Sequence, residues 1–277
     1  MCTIGCVRMD GKTHTFKQCD LTAETTFYEP EVVDGSAGKY LAFRRAGRPG
    51  IWSGVNQRGV SFVAADYYTN APDNTGEPTR FFVTSSHTGP SPDVDALFRA
   101  YEQAVAEYGT AADAIEFLSS FYLTQGKKED PVPFGAPDIV LLADPTQTIF
   151  LEYYPGDRAG EAKVLTLSPQ QGWFAATNHA RLFLQTVDYS RNHSTYLRLA
   201  RAEAILERQP TPDGIKSVLE DQYYGETELS ICRIAAEEGQ YFTQASVILS
   251  ASAAGPCGAT YLVNGNPRTK PYQTKEL

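Results

Sequence analysis

The chain predicts an α+β fold with two antiparallel sheets and segregated helix pairs. Three observations predict it. The elements run strands, two helices, strands, two helices, strands. The strands arrive as hairpins and not as strand–helix–strand crossovers, which favours antiparallel pairing. Two sheets, each covered by one helix pair, would also give every apolar face a partner. At 277 residues, 42% of them hydrophobic, such a fold buries roughly three quarters of its unfolded surface and needs no disulfides. No internal repeat, low-complexity tract or linker divides the sequence, so residues 2–277 read as one domain.

The elements follow in order. Residues 2–8 alternate, with Cys2, Ile4 and Cys6 on one face and Thr3, Gly5 and Val7 on the other. Asp10-Gly11 is a two-residue hairpin signal, and Thr13 to Phe16 reads as the returning strand. That hairpin brings Lys17-Gln18-Cys19-Asp20 back beside the start of the chain. Leu41 to Arg45 is a strand, and a second hairpin pairs Ile51–Val55 with Val60–Tyr68 around Asn56-Gln57-Arg58-Gly59. Residues 70–80 are rich in Asn, Pro, Asp and Gly and read as loop. Ser91-Pro92 opens a helix carrying Val94, Leu97, Phe98, Tyr101 and Val105 at helical spacing. Thr110 caps a second helix to about Phe121, and Gly126–Pro137 reads as a loop and pocket lid. Strands return at Ile139–Ala143, Thr148–Tyr154, Val164–Leu167 and Trp173–Ala176, the last running into Thr177-Asn178-His179. Ser194–Glu207 and a Thr211-Pro212-capped segment to about Gln222 read as helices. Leu229–Ala235, Tyr241–Leu249 and Ala259–Val263 close the chain as strands.

The net charge of −9 argues against nucleic-acid and anionic-membrane partners. No apolar run approaches membrane-spanning length, and Arg8 and Asp10 interrupt any signal pattern at the start. Cys2, Cys6, Cys19, Cys232 and Cys257 form no CxxC pair, and His14, His87, His179 and His193 add no ligand spacing, so no metal or other cofactor is expected. These cysteines read as small buried groups in a reducing compartment, which with the missing signal points to the cytoplasm.

The chemistry centres on Cys2. A residue this small directly behind the initiator allows Met1 to be trimmed, with no long propeptide to remove. The mature chain then carries a thiol and a free α-amine on one residue. Their ordinary pKa values are about 8.5 and about 7.7–8.0, so the amine can take the thiol's proton and return it. Nucleophile and base thus come together, as in N-terminal threonine enzymes. A buried, inert Cys2 in a first strand is the competing reading.

Four segments, in this order, resemble the N-terminal-nucleophile cysteine hydrolases and acyltransferases, the group of bile-salt hydrolases, penicillin V acylases and isopenicillin N acyltransferase. They are Cys2-Thr3, Gly54-Val55-Asn56-Gln57-Arg58-Gly59-Val60, Thr177-Asn178-His179 and Ser194-Thr195-Tyr196-Leu197-Arg198; Gln244-Ala245-Ser246-Val247 and Gly255-Pro256-Cys257 add to the likeness. The resemblance implies a four-layer αββα sandwich and a catalytic role for six residues. Cys2 attacks an amide carbonyl, and Asp20 holds its amine. Asn178 and a backbone N–H at Asp66 hold the oxyanion. Arg198 orders the site near the thiol. Lys17 stands where the family's Arg-Asn-x-Asp has arginine; it keeps the charge and loses the planar fork. Asp66 stands where the family often has asparagine, and its carboxylate is expected to favour an amine in the substrate.

The implied activity is hydrolysis of a linear, non-peptide N-acyl amide through a Cys2 thioester, with transfer of the acyl group to an amine or thiol as the alternative. The expected partner is that small molecule, with a dimer or tetramer as the family habit. Bland readings stand beside each residue: a turn cap for Asp20, a turn residue for Asn178, a surface ion pair for Arg198. A Cys–His pair using His179, a redox protein built on Cys2, Cys6 and Cys19, and a binding protein on a decayed scaffold complete the alternatives. Tyr67-Tyr68, Tyr153-Tyr154 and Tyr223-Tyr224 are candidates for lining an acyl pocket or, more simply, for packing.

Overall fold

In the first hairpin, β1 (Cys2–Met9) and β2 (Lys12–Leu21) pair antiparallel, with Cys2 opposite Cys19 and Met9 opposite Lys12. Asp10 and Gly11 both take positive φ, 52° and 70°, which is the turn whose twist matches the strands it joins. A computed structural model describes this hairpin and the rest of residues 1–67, 92–125, 138–155, 161–183, 193–234 and 240–277. The segment 70–80, the Ser91 cap, the lid at Gly126–Pro137 and the ends at Tyr68 and Ala235 lie outside the described residues.

The remaining strands are β3 (Glu31–Gly35), β4 (Gly38–Arg44), β5 (Ile51–Asn56), β6 (Ser61–Asp66), β7 (Asp138–Ala143), β8 (Thr148–Tyr154), β9 (Lys163–Leu167), β10 (Trp173–Ala176), β11 (Phe242–Ser252), β12 (Gly258–Val263) and β13 (Gln273–Glu276). They form two sheets, ordered β10-β1-β2-β11-β12-β13 and β3-β4-β5-β6-β7-β8-β9. Every pairing is antiparallel. The helices are α1 (Pro92–Ala106), α2 (Ala111–Gln125), α3 (Ser194–Arg208) and α4 (Pro212–Leu219).

Alternation along β1 sorts its side chains between two cores. Cys2, Ile4 and Cys6 join the core between the sheets, whereas Val7 joins Phe16, Leu199, Ile215 and Val218 under α3 and α4. Polar contacts also cross the inner layer: Thr15 Oγ1 meets Ser61 Oγ at 2.6 Å and Thr13 Oγ1 donates to the Asp144 carbonyl at 2.9 Å. On the outer face of the seven-stranded sheet, Tyr101 of α1 packs on Phe62 and Tyr122 of α2 stacks on Tyr153. The layers therefore run α1/α2, sheet, sheet, α3/α4. The caps read from the sequence are present: Thr110 Oγ1 accepts from Asp113 N–H at 3.1 Å, and Thr211 Oγ1 from Gly214 N–H at 3.1 Å. Among the described residues no helix is long and apolar enough to cross a membrane.

Four elements differ most from the expectation. The described part of Leu229–Ala235 is not a strand. Cys232 N–H donates to Asp221 and Arg233 N–H to Thr243 Oγ1, so the backbone is satisfied by turn contacts, while Ile231 fills the core under α3 and α4. β3 and β13 escape the sequence reading because they are polar edge strands of mostly exposed residues. β11 runs three residues past Leu249.

Candidate active site

Cys2 opens β1 between two neighbouring strands. On one side its cross-strand partner is Cys19. On the other, β10 pairs Ala176 with Ile4, and two more residues of that register bring Asn178 alongside Cys2. The Cys2 backbone N–H donates to Asn178 Oδ1 at 2.9 Å. Asn178 Nδ2 in turn donates to the Asp66 carbonyl at 2.6 Å, joining the two sheets at the site.

Arg198 comes up from the first turns of α3 and is fully buried. Its Nη1 donates to the Cys2 carbonyl at 2.6 Å and to Thr3 Oγ1 at 3.1 Å, and its Nη2 to Asn178 Oδ1 at 2.8 Å. One guanidinium fork thus fixes both the nucleophile's carbonyl and the asparagine beside it. Nε donates to Ser194 Oγ at 3.2 Å, an oxygen that also accepts from Arg233 Nη2 at 2.7 Å. Arg233 Nε lies 3.3 Å from Asp20 Oδ2. A buried polar chain therefore runs from Cys2 through Arg198, Ser194 and Arg233 to Asp20. Such a network is rigid only when its members are satisfied together.

Asp20 lies on the helix face of β2, opposite to the face carrying Lys17 and Cys19, because strand side chains alternate. Its Oδ1 accepts from Thr243 Oγ1 at 2.8 Å. A bulge in β11 between Thr243 and Ala245 supplies that hydroxyl at the right height, a common use of bulges near sites. With Met1 in place, the terminal ammonium donates to the Asp20 carbonyl at 2.6 Å and Asp20 N–H donates back to the Met1 carbonyl at 2.8 Å. The expected contact between the Asp20 carboxylate and the nucleophile's nitrogen is therefore not made while Met1 is attached: that nitrogen is bonded to Asn178. Met1 Sδ covers Arg233 Nη1 at 3.6 Å.

The thiol of Cys2 faces the inter-sheet layer. Its pKa is lowered to about 6, chiefly by its hydrogen bond with the Cys19 thiol; the Lys17 ammonium and the amino terminus add to this, while burial and Asp20 oppose it. The same hydrogen bond and burial push Cys19 well up. Lys17 is only 6% exposed, with Nζ 5.5 Å from the centre of the Trp52 ring. Beside the thiol is a small pocket, partly open to solvent. Cys2, Lys17, Cys19, Arg45 and Asp66 supply its polar lining, and apolar walls come from Leu21, Phe27, Trp52 and Phe98. The Asp66 carboxylate is close enough to Arg45 and to Asp138 to act on both, so the negative charge expected near the oxyanion has a cation beside it. At the Asp66 backbone, the contact seen is its carbonyl accepting from Asn178 Nδ2.

The other sequence candidates are placed elsewhere. His179 Nδ1 lies 3.1 Å from Thr177 Oγ1 and 2.9 Å from Thr195 Oγ1. Burial leads the lowering of its pKa to about 4, with nearby arginines adding to it. It is thus a neutral strut between β10 and α3. Cys6 Sγ donates to Thr148 Oγ1 at 3.5 Å, four residues down β1 from Cys2. Tyr153 packs against Tyr122, and Tyr223 is exposed under Arg201. The pocket's aromatics are Phe27, Trp52 and Phe98 instead. Ser194, Arg233 and Thr243 are network members the sequence reading missed. The signal that could have found Arg233 is a lone arginine among the small and apolar residues of Ser230-Ile231-Cys232-Arg233-Ile234. Among the described residues no group of His, Cys, Asp or Glu is placed to hold a metal ion.

No protein-family model matches the chain, and no curated protein matches it in sequence. Solved structures do match. An N-acylethanolamine-hydrolyzing acid amidase ortholog from Caenorhabditis elegans aligns over 99% of each chain, with TM-score 0.51 and 14% identity. A mutant conjugated bile acid hydrolase from Clostridium perfringens aligns over 100% of this chain and 96% of its own, with TM-score 0.52 and 10% identity. A second variant of that hydrolase gives 0.52 at 11% identity, over 99% and 96%. At these identities the likeness is one of fold, the four-layer αββα sandwich of two antiparallel sheets between two helix pairs.

Proposed function

We propose that the chain is an N-terminal-nucleophile cysteine amidohydrolase that cleaves a linear, non-peptide N-acyl amide through a thioester on Cys2. The observation that carries this reading is the setting of Cys2. Its thiol faces a pocket, its pKa is lowered, and its nitrogen and carbonyl are both pinned by Asn178 and Arg198. The structural neighbours, an acid amidase and conjugated bile acid hydrolases by name, support amide hydrolysis as the reaction.

Loss of Met1 converts the Cys2 amide nitrogen to an α-amine at a place where Asn178 Oδ1 already accepts from it. The amine takes the thiol proton, and the thiolate attacks the substrate carbonyl. An amide nitrogen carries two hydrogens; the Asp66 carbonyl engages one on Asn178 Nδ2, and the second serves the tetrahedral oxyanion together with a backbone N–H at Asp66. The Cys2 ammonium then protonates the departing amine, and water activated by the same amine opens the thioester. Asp20, across the space vacated by Met1, offsets the ammonium charge. Lys17 steadies the thiolate. The apolar pocket walls suit the acyl chain.

Hydrolysis of a panel of N-acyl amides tests the proposal. The wild-type chain releases free acid and amine from one of them, Cys257→Ala does so at a similar rate, and Cys2→Ala does not. Equal hydrolysis by Cys2→Ala and wild type would remove Cys2 from the reaction.

A further inference from the structure

Cys19 does more than polarise its neighbour. Met1 and Asp20 exchange both backbone hydrogen bonds, at 2.6 and 2.8 Å. In an antiparallel ladder the next pair along, Cys2 and Cys19, is therefore a non-hydrogen-bonded pair, in which the α-carbons approach to about 4.5 Å and side chains are closest. That spacing lies inside the window of about 4.4–6.8 Å that a disulfide spans, at its short end. Opposite residues share a face, so both thiols point into the inter-sheet pocket, and both line it. Each thiol is close enough to shift the other's ionisation. No other described cysteine has this relation to Cys2: Cys6 sits four residues along the same strand, about 13 Å away at strand rise, opposite Thr15. Cys232 and Cys257 are bonded to Asn266 and to backbone carbonyls.

We propose that Cys2 and Cys19 form an oxidation site, in which peroxide oxidises Cys2 and Cys19 resolves it to a reversible disulfide. The steps balance. The Cys2 thiolate attacks hydrogen peroxide; an S–O bond forms, the O–O bond breaks, and hydroxide leaves, giving a sulfenic acid and oxidising the sulfur by two electrons. The Cys19 thiol attacks the Cys2 sulfur; the S–S bond forms, the S–O bond breaks, and the departing hydroxide takes the Cys19 proton as water. A dithiol reductant returns both thiols by exchange. Lys17, on the same face of β2 as Cys19, places a positive charge beside the attacking thiolate. The bridge ties up Cys2 in a form that cannot attack and shields it from irreversible oxidation. The site stands on thiol geometry and holds whether or not the chain cleaves amides, so its test is separate from the hydrolysis assay.

The test treats the purified full chain with one equivalent of hydrogen peroxide at neutral pH, followed by intact mass and peptide mapping. The expected result is loss of two hydrogens, a disulfide joining the Cys2 and Cys19 peptides, and full reversal by dithiothreitol. In Cys19→Ser the same treatment forms no bridge and puts one oxygen on Cys2, and raising the peroxide to three equivalents adds two or three oxygens that dithiothreitol does not remove. Oxygen added irreversibly to wild-type Cys2 with Cys19 still alkylatable, or a bridge mapped to Cys6, Cys232 or Cys257, would overturn the assignment. The wild-type map decides this alone if Cys19→Ser fails to fold.

Discussion

At the scale of single residues, Asn178 bonds the nucleophile's nitrogen, Arg198 and the facing sheet at once. Its Oδ1 accepts from the Cys2 N–H and from Arg198, so the carbonyl end of the side chain is fixed and the Nδ2 end is the donor. Asn178→Ala removes that donor, and with it the acceptor shared by the Cys2 nitrogen and Arg198. The expected effect is a fall in kcat of roughly 100- to 1000-fold with little change in KM, as for loss of one oxyanion donor; steady-state kinetics on a cleaved amide checks it. An unchanged kcat would put the oxyanion elsewhere. Cys2, Asn178 and Arg198 were legible in the sequence because each sits in a short local pattern. Arg233, Ser194 and Thr243 were not, because their partnership with Asp20 and Arg198 exists only across distant segments and through the bulge in β11. Asp20 was legible as a residue but not in its contacts, since alternation along β2 turns its carboxylate away from the thiol.

At the scale of elements, the first hairpin positions everything else. Asp10-Gly11 sets the register, and the register decides that Cys2 meets Cys19 and that Lys17 shares their face. The hairpin was readable because both strands alternate between two buried layers. β3 and β13 were not, because a polar edge strand such as Glu31–Gly35 buries too little for alternation to show. Ser230-Ile231-Cys232-Arg233 misled in the opposite way: its buried residues look like strand but plug a core from a turn. Gly5 is a sensitive point of β1. A Cβ there would run into the Phe16 ring and the Phe174 carbonyl of both flanking strands. Gly5→Ala is therefore expected to destabilise by about 1–3 kcal/mol, the usual cost of overpacking, and to lower activity by shifting Cys2. Urea unfolding measures the first; a midpoint equal to wild type would show that β1 relaxes freely.

At the scale of the whole molecule, each helix pair is tied to its own sheet, and a buried acid does part of that work on one side. Tyr101 of α1 and Tyr122 of α2 both donate to Asp138 Oδ2 at the start of β7. Burial first, and then the nearby Asp66 carboxylate, raise the Asp138 pKa to about 8. An unfolded aspartate ionises near about 3.9, so between about pH 4 and about pH 8 the folded chain holds a proton that the unfolded chain has lost. Stability from this group is present at low pH and falls as pH rises through that window. In Asp138→Asn the decline between about pH 4 and about pH 8 should be shallower than in wild type, as read from urea midpoints; parallel declines would mean that Asp138 is ionised throughout. The four-layer order itself was legible, because the run of hairpins and helix pairs leaves two sheets and two covers as the arrangement that buries every apolar face.

The proposed reaction requires Cys2 to become the first residue and to carry the acyl group. The most direct measurement is the intact mass of the active chain, alone and mixed rapidly with a cleaved N-acyl amide. The mass of residues 2–277 and, on mixing, the added mass of the acyl group on the Cys2 peptide are the predicted results. A chain that turns over substrate with Met1 still attached, or an acyl group found on any other residue, would contradict it.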